Sequence, residues 1–136
     1  MNFTKTTSYS LKVLTYMAKN TGHDHTALSL SKDLKIPRHY LRTLLTTLTK
    51  RKLIKSNKGR GGGIMLSRKP DRIFLSDIVE AMEGLNVFKT CIVGFTECPL
   101  SGRCKLHPVW AETRKKITKI LETTSLADFA KKSKQS

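Results

Sequence analysis

Three cysteines and a histidine in the last third of the chain are the residues best suited to chemistry. Cys91, Cys98 and Cys104 are its only cysteines, and His107 comes three residues after the last of them. Thiolates and imidazoles bind soft and borderline metal ions, and the intervening glycines and proline let the chain turn so that such ligands converge. The C-x6-C-x5-C-x2-H spacing therefore predicts a metal-binding segment.

The composition is that of an ordinary globular domain. A chain of 136 residues fits one domain, and 38% hydrophobic residues can supply a core without disulfides. An odd number of cysteines argues against a disulfide framework. No apolar run approaches the roughly 18 residues that span a bilayer, and residues 1–5 lack the apolar core of a signal peptide. We therefore expect a cytoplasmic protein with no membrane partner.

The positive charge is concentrated in the first half of the chain. The net charge is +16, and residues 1–72 carry 16 Lys and Arg against three Asp, whereas residues 73–136 carry 10 against seven acidic residues. A field of this kind attracts phosphates, and the resulting affinity falls steeply with salt. The first half is thus the candidate nucleic-acid-binding part, although a merely solvated basic surface has the same charge.

The periodicity of this half predicts a helix-turn-helix. Apolar spacing indicates helices near 8–20 and 38–50, with a short helix between them that we expect Ser29 to cap and Pro37 to separate from the next. The last helix has a leucine stripe on one face and basic residues at its start, as in a recognition helix. His23 and His25 in the polar loop before the short helix could bind a metal, but further ligands near them are absent.

Two short strand-like runs, 53–56 and 64–67, flank a glycine-rich cationic loop and predict a hairpin. After a helix-turn-helix such a hairpin is a wing. Its glycines let the backbone approach DNA, Arg60 could enter the minor groove and Lys58 could contact a phosphate. The rival interpretation is a nucleotide-binding loop, but the order G-x-x-x-x-G-K-[ST] is absent.

The remaining sequence predicts two main helices around the cysteines. One spans about 75–84 with Ser76 as its cap, and the other runs over about 107–123 with Pro108 in its first turn. Ser125 is expected to cap a last turn. The long helix could form a dimer with a second copy or pack within its own chain. We expect a mainly α fold with one small β-hairpin, divided into a winged helix-turn-helix domain over 1–84, a cysteine-bearing loop over 85–107 and a dimerisation helix with its tail over 108–136.

The same order of parts resembles a known family. A helix-turn-helix, the wing over 58–63, the helix beginning Leu75-Ser76-Asp77, the three-cysteine loop and a helix bearing Trp110 are together similar to the IscR/NsrR/RirA family of bacterial transcription regulators, of the Rrf-two type. The likeness extends from Thr4 to about Ala130. It implies a winged-helix homodimer that binds palindromic promoter DNA and carries an iron–sulfur cluster of two or four irons.

The resemblance implies Cys91, Cys98 and Cys104 as cluster ligands. His107 matches the fourth ligand of IscR-like members, whereas the position at which NsrR-like members use an aspartate is here Ser8. The gap between the first two cysteines is one residue longer than is common in the family. Zinc would also accept three cysteines and a histidine, although the tight C-x2-C pairs of many structural zinc sites are missing. A thiol switch without a metal is the third possibility.

The expected function is therefore a transcription regulator, a repressor rather than an enzyme, that senses iron or cluster supply, nitric oxide or redox stress. Its alternatives are a cluster-free regulator gated by a protein partner or by thiol oxidation, a nonspecific basic nucleic-acid binder, and an iron–sulfur carrier or small redox protein. The residues expected to contact double-stranded DNA are Arg38, His39, Tyr40, Arg42, Thr43, Lys58, Arg60, Gly61 and Gly62.

Overall fold

The computed structural model describes residues 4–21, 24–56, 63–84, 91, 93, 99–101 and 103–131. Within these ranges the chain is mainly helical. Its elements, in order, are α1 (Lys5–Lys19), α2 (Ala27–Leu34), α3 (Arg38–Lys50), β1 (Ile54–Ser56), β2 (Ile64–Leu66), a 3-10 turn (Pro70–Arg72), α4 (Leu75–Glu83), α5 (Leu106–Thr123) and α6 (Leu126–Ala130). No helix in the described ranges is long and apolar enough to cross a membrane.

Helices α2 and α3 form the predicted helix-turn-helix. The turn between them includes Lys35, which adopts a left-handed conformation with φ of 55°, and the buried Ile36, whose carbonyl accepts a hydrogen bond from the Ser31 hydroxyl at 2.7 Å. The prediction that Ser29 caps α2 was wrong. Thr26 is the N-cap, and Ser29 is the third helical residue of a reciprocal capping box with it.

The hairpin is antiparallel, and Ile54 pairs with Leu66, Lys55 with Met65 and Ser56 with Ile64. Ile64 also forms a bridge on its other side to His25, in the segment before α2. The hairpin is therefore attached to the helical body along its second strand as well as through α3.

The described hydrophobic core combines residues from α1, near the start of the chain, with residues from every later helix as far as α6. Its members are Val13, Leu14, Met17, Leu30, Leu34, Ile36, Leu41, Leu44, Leu45, Leu48, Leu53, Ile54, Ile73, Leu75, Ile78, Val79, Leu121 and Leu126. Burial of these aliphatic side chains is the main force that holds the helices together. Helix α6 packs on α1, and α4 packs on both α1 and α5.

Main-chain hydrogen bonds fix where α4 and α6 begin. The Leu126 amide donates to the Ile73 carbonyl at 2.6 Å, and the Leu75 amide donates to the Thr124 carbonyl at 3.0 Å. The expected Ser76 cap was wrong: Phe74 is the N-cap residue, and its amide donates to the Asp77 carboxylate at 3.0 Å. The expected Ser125 cap of α6 is confirmed, because its hydroxyl accepts a hydrogen bond from the Asp128 amide. The Ser125 hydrogen bonds lower the pKa of the Asp128 carboxyl.

Candidate nucleic-acid interface and cysteine segment

Helix α3 has one face buried in the core and one face open to solvent. Leu41, Leu44, Leu45 and Leu48 are buried, whereas the predicted DNA-contacting residues Arg38, His39, Arg42 and Thr43 are exposed. Because the leucines fix the rotation of the helix, the guanidinium and imidazole groups of its first two turns project from one side. This arrangement is the one expected of a recognition helix.

The N-terminus of α3 suits an anion. Its N-cap residue is Pro37, which makes no side-chain cap, and no acidic residue lies in its first turn. The first amide groups of a helix need acceptors, and the helix dipole favours negative charge near them. A phosphate oxygen can serve both purposes, and Arg38 at the same end adds a full positive charge.

The threonines of α3 differ in how far their hydroxyls are engaged. Thr46 and Thr49 donate to carbonyls one turn earlier at 2.9 and 2.8 Å, whereas Thr43 makes the same contact to His39 at only 3.4 Å. A bond of that length is weak, so the Thr43 hydroxyl can turn to a new partner at little cost. Among these three threonines, Thr43 has the hydroxyl that is least engaged within the helix.

Tyr40 joins the recognition helix to α1. It is half-buried, its hydroxyl is 2.8 Å from the Thr6 hydroxyl, and its ring packs edge-on against Tyr9 at a centroid distance of 5.2 Å. The Lys5 ammonium lies 5.6 Å from the centre of the Tyr9 ring. The start of α1 is therefore beside the start of α3. Sequence reasoning missed Lys5 and Thr6 as parts of this surface, because their proximity to Tyr40 is a tertiary contact between distant segments.

The wing tip falls outside the described residues, and with it the expected contacts Lys58, Arg60, Gly61 and Gly62. The stem that carries the tip is described. Lys55 on β1 is exposed, as are Lys50, Arg51 and Lys52 before it. Exposed positive charge thus continues from the end of α3 into the hairpin, and this continuity was not among the sequence-based predictions.

Of the four predicted metal ligands, the structure describes three. Cys91 and Cys104 are half-buried free thiols, and His107 is exposed in the first turn of α5; Cys98 lies outside the described residues. The His107 amide donates to the Cys104 carbonyl at 3.3 Å, so these two predicted ligands share one turn of chain. Within the described part of the chain, no three His, Cys, Asp or Glu side chains are gathered as a metal site.

The donor set nevertheless fits an iron–sulfur cluster or zinc in its chemistry. Both described thiols are partly accessible, and neither is consumed in a disulfide. Three thiolates with one imidazole is a ligand combination that suits both kinds of centre. Cys98, the expected third sulfur ligand, lies outside the described residues.

An apolar stripe on α5 is exposed next to the cysteine segment. Leu106, Val109 and Ile120 are 52%, 63% and 59% exposed. Trp110 and Leu121, on the neighbouring stripe of the helix, are buried. The exposed positions recur at intervals that place them on one side of a helix, the pattern of a helix that pairs with another.

The end of α4 is linked to the start of α1. The Glu83 carboxylate accepts a hydrogen bond of 2.5 Å from the Thr4 amide, and Thr4 is the N-cap of α1. Glu83 is the last residue of α4, directly before the segment that leads to the cysteines. Since Thr6 in the first turn of α1 contacts Tyr40 of α3, the end of α4 and the start of α3 both contact the N-terminal end of α1.

A second link joins α1 to α2. The Tyr16 hydroxyl donates to the Asp33 carboxylate at 2.6 Å. This hydrogen bond is the main reason why the pKa of Tyr16 lies above its ordinary value of 10.0, and desolvation and the negative charge of Asp33 add to it. The contact helps to hold α2 against α1.

Comparison with known proteins gives a consistent result. Residues 3–132 match the family Rrf2, described as "Iron-dependent Transcriptional regulator". The chain is 30% identical over 131 residues to the HTH-type transcriptional regulator NsrR of Shouchella clausii, an alignment that covers 95% of this chain and 88% of that protein.

Solved structures with this architecture include regulators of two kinds. CymR, titled the global cysteine regulator of B. subtilis, is 27% identical, with a TM-score of 0.78 and coverage of 98% of both chains. IscR of T. potens is 25% identical, with a TM-score of 0.74 and coverage of 95% of this chain and 85% of that one. These neighbours confirm the predicted winged-helix fold. The names of the relatives confirm the prediction of a transcription regulator rather than an enzyme.

Proposed function

This chain belongs to the Rrf2 family of DNA-binding transcription regulators, and we propose that it is a homodimeric repressor whose DNA affinity is controlled by an iron–sulfur cluster. The exposed cationic face of α3, opposite its buried leucines, is the observation that supports DNA binding. The three cysteines and His107 support the proposed sensing by a cluster. Regulation of promoters would place the protein in the cytoplasm.

In this proposal the first two turns of α3 enter the major groove. Arg42 reads a guanine through two parallel hydrogen bonds, and Thr43 contacts a neighbouring base or a thymine methyl group. Arg38, His39 and Tyr40 lie near the phosphates at the groove edge. The wing contributes Lys58 to a phosphate and Arg60 to the minor groove, and Gly61 and Gly62 allow the backbone to come close.

Cys91, Cys98 and Cys104 would hold the cluster, and His107 is the proposed fourth ligand. The bound group would supply a centre that responds to iron supply, nitric oxide or redox stress. Iron–sulfur is favoured over zinc because the close cysteine pairs of many structural zinc sites are absent. His107 is favoured over Ser8, because a hydroxyl is a poor iron ligand.

The contacts of Glu83 and Tyr40 supply a route from the cysteine segment to DNA. Rearrangement of this segment would change the position or the freedom of Glu83, and hence its hold on the Thr4 amide. The same turn of α1 supports Tyr40 at the start of α3. If these contacts can be either formed or broken, loss of the cluster would change the orientation of the recognition helix.

Dimerisation through α5 is supported by its exposed stripe of Leu106, Val109 and Ile120. Water-exposed aliphatic side chains in a row are costly unless a partner covers them. A two-fold dimer would present two recognition helices to two half-sites of a palindrome, at a spacing fixed by the DNA helical repeat. A change in the cysteine segment, which directly precedes α5, would alter that spacing.

Anaerobic purification with iron and acid-labile sulfide analysis, followed by footprinting on the protein's own promoter region, tests both parts. We expect a coloured protein with equal iron and sulfide that protects a palindromic site. Random DNA that competes as well as the promoter fragment would contradict sequence-specific binding, and a colourless protein without iron and sulfide would contradict the cluster.

A cluster-free regulator is the second candidate, supported by the likeness to the cysteine regulator CymR over nearly the whole chain. In that case the thiols or a protein partner would set DNA affinity. Reversible change of DNA affinity on thiol oxidation, in a preparation free of iron, would favour this candidate.

A further inference from the structure

His25 is almost completely buried, with 3% of its surface exposed, although it lies in a short polar loop. Its main chain explains its position. The His25 amide donates to the Ile64 carbonyl at 3.1 Å, and the Ile64 amide donates to the His25 carbonyl at 2.6 Å. Ile64 is the first residue of β2, so His25 acts as a one-residue third strand beside the wing stem.

The side chain of His25 fastens this segment to the end of α1. Its Nε2 is 2.9 Å from the carbonyl oxygen of Asn20, the C-cap residue of α1. Because a carbonyl oxygen can only accept, Nε2 carries the proton and donates it. The imidazole also packs edge-on against Tyr16 at a centroid distance of 5.6 Å. Besides the direct packing of β2 on α1, the His25 imidazole thus ties the segment that bridges to β2 to the end of α1.

Close packing at Gly63 restricts the same stem from the side. A Cβ added to this buried glycine would lie 2.3 Å from the Cβ of Asp24, a separation that real side chains do not show. Only the absence of a side chain at position 63 lets the wing stem lie against the segment that carries His25. A side chain at position 63 would therefore have to displace the wing stem or the segment around Asp24.

From these contacts we infer that His25 and Gly63 are positioning residues for DNA binding, which set the angle at which the wing meets the duplex. The inference rests on the proposed DNA-binding function. Neither residue touches DNA in this account. Both act through the residues of the wing tip, which follow β1 and precede Gly63 in the chain. Disruption of either interaction should weaken the binding of the wing to DNA and leave the groove contacts of α3 in place.

Two substitutions of His25 separate the effect of its hydrogen bond from the effect of its aromatic ring. His25→Phe keeps an aromatic ring against Tyr16 but loses the donor to Asn20, whereas His25→Gln keeps a donor. We expect His25→Phe to lower promoter affinity about tenfold and to reduce the slope of log K against log salt by about 0.9 for each phosphate that the wing no longer reaches. His25→Gln should remain within about threefold of the wild type, because a hydrogen bond to a carbonyl is retained.

A double-mutant cycle with Arg60→Ala shows whether the effect passes through the wing. If His25 positions the wing, the decrease in affinity caused by Arg60→Ala should largely disappear in the His25→Phe background. An unchanged salt slope together with fully additive effects would overturn the inference, because that result means only general destabilisation. Thermal unfolding of each variant establishes the temperature at which all of them are folded.

Gly63→Ala provides a test that leaves His25 untouched. We expect it to lower promoter affinity, and we expect Asp24→Gly in the same chain to restore most of the affinity, because it removes the Cβ with which the new methyl group collides. Asp24→Gly alone is the control for the removed negative charge. Equal affinities of Gly63→Ala and the wild type, or no restoration beyond the effect of the control, would overturn the inference.

Failure of the proposed function would look different from failure of this inference. A wild-type protein that prefers no promoter sequence contradicts the proposed regulator. The same variants would then be measured on a random duplex, where a wing held by His25 still predicts a smaller salt slope for His25→Phe. An unchanged slope on that duplex would overturn the inference as well.

Discussion

Replacement of Ile120 by alanine should weaken the proposed dimer by about two orders of magnitude. Ile120 is 59% exposed in the single chain, on the exposed stripe of α5. The substitution removes three carbons, each contributing about 0.8 kcal/mol when fully transferred from water. Scaled by the exposed fraction, the loss is about 1.4 kcal/mol per protomer and about 3 kcal/mol for the two copies, which corresponds to about a hundredfold rise in the dimer Kd.

The assay is sedimentation equilibrium of anaerobically purified protein over a range of concentrations. Leu28→Ala is the matched control, because it also removes three carbons from a side chain that is 48% exposed, but on α2. We expect the control to leave the dimer Kd unchanged. A Kd unaffected by Ile120→Ala, or raised equally by both substitutions, would refute the assignment of the exposed α5 stripe to the dimer interface.

Three further substitutions test base recognition by α3, cluster binding by the cysteine segment and the contact between α1 and α2. Arg42→Ala should cost about 1–3 kcal/mol at one base position in a binding-site selection and relax specificity there; equal weakening on every sequence would make Arg42 a phosphate contact only. Cys98→Ala should abolish cluster retention and leave the protein dimeric, and full iron occupancy of that variant would refute its role as a ligand. The pKa of Tyr16 is raised in the folded state, so its contribution to stability is present below pH 10.0 and is lost as pH rises through the folded value. Tyr16→Phe should therefore reduce the alkaline fall in the free energy of unfolding by denaturant, and an unchanged pH profile would contradict this assignment.

The helices whose apolar residues recur at helical spacing were predictable from the sequence. The leucine stripe of α3 fixes both its type and its orientation, because four leucines at helical spacing must face the same core. Its start also matched the prediction, because Pro37 disfavours a helical conformation of the residue before it. The hairpin followed from two apolar runs around a glycine-rich loop.

The starts of α2 and α4 were not predictable with the same precision. Thr26 and Ser29 are both good capping residues three positions apart, and local sequence does not say which one takes the N-cap position. At α4 the choice was made by distant contacts, because the bonds of Ile73 and Leu75 to the chain around α6 leave Phe74 in an extended conformation. Tertiary hydrogen bonds there outweighed the capping preference of Ser76.

The candidate site likewise contains some residues that the sequence could identify and others that it could not. The exposed face of α3 follows from where the leucines lie, so Arg38, Arg42 and Thr43 could be selected from the sequence. The contact of Tyr40 with Thr6 and the burial of His25 against the wing join residues 34 and 39 positions apart. No local pattern encodes such pairs, so the sequence places His25 only in a polar loop and does not predict its burial beside the wing.

Titration of one promoter fragment with a single anaerobic preparation, before and after removal of its iron and sulfide, tests the control of DNA binding by the cysteine segment most directly. We predict that the dissociation constants of the two forms differ by about 5–150-fold, the usual range of coupling between two sites. We also predict that Cys104→Ala binds DNA as the iron-free form does. Identical binding curves for all three samples would contradict control of DNA binding by the cysteine segment.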